Sequence, residues 1–198
     1  MALPQLQTKM IRNGSGVLYS TVHLASGTAL LNQQLGFFSY ATQQPIPGGT
    51  ANSTIVDTNL RTAGQLPGQQ AFTVKWMALQ IAQLSTTKTG VSYADYHAAL
   101  DNSLLFWQYG QAQIQIAPAY MIPAGGGLYG VAGTANNVPA QYNNGAGMFF
   151  HLREPVILAP LANFSIVWQF GAGSGTPSET LACKFTLGGA YEQAIEQG

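Results

Sequence analysis

Met148-Phe-Phe-His-Leu-Arg-Glu-Pro-Val-Ile-Leu-Ala-Pro-Leu-Ala-Asn-Phe-Ser-Ile-Val-Trp-Gln-Phe170 is the stretch that decides the fold. It reads as a strand, a proline-marked corner and a second strand. Phe149 to Leu152 is short and apolar, Arg153-Glu154-Pro155 interrupts it, and Val156-Ile157-Leu158 resumes it. Pro160 to Asn163 supplies a turn, because Pro fixes φ and Asn tolerates the left-handed region. Phe164, Ile166, Trp168 and Phe170 then fall on every second residue. That period places them on one face of a sheet and puts Trp168 in a core between two sheets.

Working outward, Thr180 to Leu187 alternates in the same way, with Leu181, Cys183, Phe185 and Leu187 on one face. Phe72, Val74 and Trp76 alternate, but Met77, Leu79 and Ile81 continue on the opposite parity, which predicts a bulge or a strand shared between two environments. Val17 to Leu24 and Ser103 to Ala117 also read as strands. Ser92-Tyr-Ala-Asp95 is an N-terminal capping pattern, and the spacing of Tyr93, Tyr96, Leu100 and Leu104 predicts a helix from about 93 to 104. Pro45-Ile-Pro-Gly-Gly and Leu66-Pro-Gly mark connections. Residues 124–147 read as a long Gly/Asn/Ala loop, and loops of that length often carry function. Residues 1–16, ending in Asn13-Gly-Ser-Gly, read as a flexible N-terminal arm ahead of a single domain over 17–198. The expected fold is all-β, an antiparallel sandwich or single jelly roll with one short inserted helix.

The composition speaks about partners. Only 7% of the 198 residues are charged, with seven basic against seven acidic side chains, where about 25% is usual for a soluble protein. Gln, Asn, Ser, Thr and Gly take the place of charge, and a net charge near zero promotes association. Much of this surface is expected to meet other subunits. There is no basic stripe, so direct sequence-specific nucleic-acid binding is not expected. No apolar run reaches the ~18 residues of a membrane span. The first ten residues lack the apolar centre of a signal peptide, so synthesis in a cytoplasm without export by that route is expected.

A search for chemistry returns little. His23, His97 and His151 lie far apart, without metal-ligand spacing, and would have to be gathered with Asp57, Asp95 or Asp101. Cys183, the single cysteine, shares its face with Leu181 and Phe185 and reads as a buried thiol. Ser15 and Ser174 sit in Gly-Ser-Gly loops that do not form a nucleophile elbow. No catalytic, cofactor-binding or metal-binding residue is expected, and the chain does not read as an enzyme. Candidate intersubunit contacts are the apolar Leu128, Tyr129, Tyr142, Met148 and Phe149, together with Arg153-Glu154 as a local or intersubunit ion pair.

The order of elements resembles the single jelly-roll capsid proteins of bacteriophages and other icosahedral viruses of the double-jelly-roll-related lineage. The helix at 93–104 between two strands carries the resemblance. So do Ala117-Pro-Ala-Tyr-Met-Ile-Pro-Ala-Gly-Gly-Gly, Leu152-Arg-Glu-Pro-Val-Ile-Leu-Ala-Pro-Leu-Ala-Asn-Phe-Ser-Ile, and Phe185-Thr-Leu-Gly-Gly-Ala-Tyr, a closing strand with its glycine turn. It spans residues 70–191. Where closing strands of this kind often run into basic residues, this chain has Tyr191-Glu192-Gln193. The resemblance implies a virion structural protein that self-assembles as a homo-oligomer, in trimeric or hexameric capsomers. Its partners would be other capsid proteins and, in lipid-containing members, an internal membrane. The alternative is a carbohydrate- or receptor-binding jelly-roll module, a spike or lectin. Tyr129, Tyr142, Asn136, Asn137, Asn143 and Asn144 would supply its aromatic and amide groups. A cupin-type enzyme on a related fold would require a bound metal.

Overall fold

Phe164–Phe170 is a strand in which Phe164, Ile166, Trp168 and Phe170 are buried and the residues between them are half-buried. The period of two is therefore the period of burial. The computed structural model describes residues 10–84, 93–122, 129–132, 139–142 and 149–195. In chain order the strands are β1 (Met10–Leu24), β2 (Gln34–Phe37) and β3 (Gln70–Gln83), followed by a helix α1 (Tyr93–Leu100). Then come β4 (Ser103–Tyr109), β5 (Ala112–Pro118), β6 (Tyr129–Ala132), β7 (Pro139–Tyr142), β8 (Phe150–Leu158), β9 (Phe164–Phe170) and β10 (Leu181–Ile195).

The protein is an all-β sandwich of two antiparallel sheets with one short helix. One sheet has the order β1-β10-β3-β8 and the other β2-β9-β4-β5, while β6 and β7 pair only with each other. The pairings are nested: β1 with β10, β2 with β9, β3 with β8, β4 with β5. Phe72, Val74, Leu79, Cys183 and Phe185 from the first sheet meet Phe37, Leu105, Ile166 and Trp168 from the second in one core. Phe37 bridges the layers, with ring centroids 5.8 Å from Trp168 and 5.3 Å from Phe185. Offset contacts of this kind add to the area they bury. The Trp168 indole N–H is buried without a hydrogen-bond partner among the described residues.

Of the two readings of the parity change in β3, the bulge is the one present. The registers of β3 with β8 and with β10 both shift between Val74 and Trp76, opposite Gly188 and Gly189. This turns Trp76 away from the core and brings Met77, Leu79 and Ile81 into it.

Several expectations need correction. Met10–Gly16 belongs to β1 and pairs with Gly189–Ile195, so this half of the expected arm is sheet. Residues 1–9 lie outside the described residues. Gly188-Gly189 is not a closing turn, since β10 runs through it to Ile195. The helix stops at Leu100, because Ser103 already opens β4 and its hydroxyl donates to the carbonyls of Ala99 and Leu100. Ser92 of the capping pattern lies outside the described residues. Residues 103–117 form a hairpin turning at Gly110, whose φ is 58°. The 124–147 loop contains the β6–β7 hairpin, in which Tyr129 lies opposite Tyr142.

Candidate functional site: an open sheet edge beside an apolar cleft

A sandwich of two open sheets has four edges, and each unpaired edge is a row of backbone donors and acceptors seeking partners. In this molecule the edges are treated differently. The outer edge of β1 is sealed by the connection after β2. The Tyr40 hydroxyl accepts from Thr21 N–H at 3.0 Å and donates to the Thr21 carbonyl. The Asn59 side chain accepts from Tyr19 N–H at 3.0 Å and donates to the Val17 carbonyl at 2.8 Å. His23 N–H donates to the Pro47 carbonyl at 2.8 Å. β2 is only four residues long.

β8 is interrupted. Val74 pairs with Val156 and Trp76 with His151, so Leu152–Pro155 stands opposite Lys75 alone. Arg153, Glu154 and Pro155 are all exposed on this swelling. Charge, proline and a bulge are the usual means of blunting an edge. The corner foreseen at Arg153-Glu154-Pro155 is thus this break in pairing, and the two charges form no ion pair with each other.

β5 carries no charge, and although its register with β4 shifts at Ile116 and it ends on Pro118, the part ahead of that bulge, Ala112–Gln115, is unblunted. It is seven residues long, and its first four are exposed. Among the described residues no strand pairs with its outer edge. From Asn102 to Phe150 the chain has no Asp, Glu, Lys, Arg or His. Beside this edge an apolar cleft of about 410 Å³ opens between the sheets, lined by Met77, Trp107, Ile114, Phe150, Leu152 and Ile157 among others. Ile114 is 63% exposed and Ile157 65%, on opposite lips. Tyr120 and Met121, just past β5, are also exposed.

The other sequence candidates distribute as follows. Phe149 stacks on Trp76 of its own chain, with centroids 4.0 Å apart. Tyr129 and Tyr142 share a rung of the β6–β7 hairpin. Leu128, Met148, Asn136, Asn137, Asn143 and Asn144 lie outside the described residues. Sequence reading did not single out β5. The alternation Gln111-Ala-Gln-Ile-Gln-Ile116 gives a strand but does not say that it lies at an edge.

A second hollow, about 510 Å³, lies between residues 59–70 and the β1–β10 pair and is lined by Arg61, Gln65, Gln70, Tyr191 and Gln193. Its Tyr191 is spent on the fold. The Tyr191 ring packs on Phe72 at 4.5 Å, and its hydroxyl donates to the Val17 carbonyl at 3.1 Å. Burial, then the neighbouring Tyr19, pushes the Tyr191 phenol up to about 12.

Cys183 does not offer a nucleophile. Burial pushes the Cys183 thiol far up, so the thiolate that attacks is not formed. Among the described residues no three His, Cys, Asp or Glu side chains converge on a metal position. Asp95 is buried and accepts from Ser178 N–H at 2.7 Å and from its hydroxyl at 2.8 Å, fastening the 171–180 loop to the helix. His97 pairs with Asp101 one helical turn on. No helix among the described residues is long and apolar enough to cross a membrane. No protein-family model matches the chain, and neither a curated protein nor a solved structure matches it.

Proposed function

We propose that this chain is a structural protein of a viral shell, of single jelly-roll type, whose activity is self-assembly. The observation that carries the reading is the uncharged outer edge of β5, unpaired among the described residues, beside an apolar cleft, on a sandwich whose β1 edge is sealed, whose β2 edge is short and whose β8 edge carries charge. An edge left in that state aggregates unless a specific partner covers it.

The nested strand order supports the jelly-roll part. With the β6–β7 hairpin set aside, the sheets run first-eighth-third-sixth and second-seventh-fourth-fifth. That is a long hairpin wound into two Greek keys, an architecture that serves viral capsid and lectin domains alike. The low charge supports assembly over a free-standing lectin. Gln- and Thr-rich faces lose less on desolvation than charged ones and hydrogen-bond across a contact. Other shell proteins would be further partners, and the virion the final location.

Negative-stain imaging of the purified chain tests the reading. Ring-like capsomers or closed particles are expected. A dispersed monomer that binds a glycan saturably would replace this reading with the lectin one.

A further inference from the structure

In a contact about a twofold axis each residue near the axis meets its own copy, so the strand there must be complementary to itself. A charge at such a position repels its twin. Glutamine suits it, since one amide both donates and accepts. β5 meets this requirement. Its pairing with β4 sets Ile114 opposite buried Trp107, on the cleft face, and Gln113 and Gln115 opposite Gln108 and Phe106, on the outer face. Immediately about Ile114 the strand is symmetric, with Gln113 and Gln115 on either side, and it carries no charge; the symmetry ends at Ile116, where the register with β4 shifts.

We propose that β5 pairs antiparallel with β5 of a second copy about a twofold axis through Ile114. The two β2-β9-β4-β5 sheets then become one continuous sheet. Gln113 of each copy lies opposite Gln115 of the other. The two Ile114 side chains meet on the cleft face, and the edge of each copy helps to roof the apolar cleft of the other. The contact closes on itself, because β2 at the far end is only four residues long and offers little to propagate a fibre. This inference rests on the reading of the chain as self-associating, and names the surface through which it does so.

The test uses the full chain in two variants. In Ile114→Cys the two thiols face each other across the axis. Directly opposed Cβ atoms in an antiparallel pair are about 4.5–5.5 Å apart, close to what a disulfide spans. Ile55→Cys is the control, since Ile55 is equally exposed, at 65%, in the connection after β2. Air oxidation should give a covalent dimer with Ile114→Cys and little with Ile55→Cys at the same concentration. Ile114→Lys places like charges on the axis and should weaken the dimer at least about tenfold by sedimentation equilibrium, with an unchanged circular dichroism spectrum.

Equal cross-linking of the two cysteine variants overturns the proposal, as does an Ile114→Lys protein that dimerises as tightly as its parent. The two readings can fail separately. Shells that form normally from Ile114→Lys would remove this contact and leave the shell. A specific Ile114→Cys dimer with no larger particle would keep the contact and remove the shell.

Discussion

Trp76 lies across Gly188 so closely that a Cβ built on the glycine would sit 1.8 Å from the indole. The adjacent Gly189 is as tight against backbone, its Cβ falling 1.8 Å from the Thr73 carbonyl oxygen. The two glycines are what allow β3 to bulge, turn Trp76 onto Phe149 and still pair with β10. Gly188→Ala should lower stability by about 1–3 kcal/mol, as overpacking does, read as a lower urea midpoint. Gly189→Ala meets backbone that cannot rotate aside and should cost more. A Gly188→Ala protein with the parental midpoint would contradict this packing.

Asp95 holds the 171–180 loop through two hydrogen bonds to Ser178 in a buried setting. Asp95→Ala leaves the Ser178 donors without that acceptor and should cost about 1–3 kcal/mol. Hydrogen exchange should rise first at Ser178 and its neighbours. Exchange rising equally throughout the sandwich would argue against a local clamp.

His23 is buried on β1, and desolvation lowers its pKa below 6.5, partly opposed by Asp57. Between the folded value and 6.5 the unfolded chain takes up the proton first. The contribution to stability is therefore complete above about pH 6.5 and shrinks as pH falls toward the folded pKa. Thermal melts from about pH 7.5 down to about pH 5 should show a steeper loss in the parent than in His23→Gln. Parallel curves would show that His23 titrates alike in both states.

Cys183 is fully buried in β10 between Leu181 and Phe185 on the core face. A thiol reagent should leave it unmodified in the native protein and label it only as fast as the chain unfolds. Rapid labelling without loss of structure would mean that the core is open there.

The parts of the fold that obey a local period were legible in the sequence. β9 and the first half of β10 bury the residues their alternation selects, and the parity change in β3 marks a real bulge. Pairing that depends on distant partners was not legible. Asn13-Gly-Ser-Gly16 looks like coil, and becomes strand because Gly189–Ala190 and its neighbours lie opposite. Gly188-Gly189 looks like a turn, but the two glycines make room for Trp76 and Thr73. Gly110-Gln111 is a weak hairpin signal, so β4 and β5 read as one strand.

The site was less legible still. Tyr40 and Asn59 seal β1 through side-chain bonds across 19 to 42 residues of sequence, which no local pattern announces. Only once that edge is known to be closed does the open edge of β5 stand out. Phe149, an expected subunit contact, stacks on Trp76 of its own chain, a pairing that depends on the bulge in β3.

The central claim is self-association, and the mass distribution of the purified chain by light scattering across a wide concentration range tests it most directly. The account predicts integral multiples of the chain mass, rising to capsomers or closed particles as concentration increases. Little response to salt is expected, since so few charges are available at the contact. A single species of monomer mass at every concentration would contradict it.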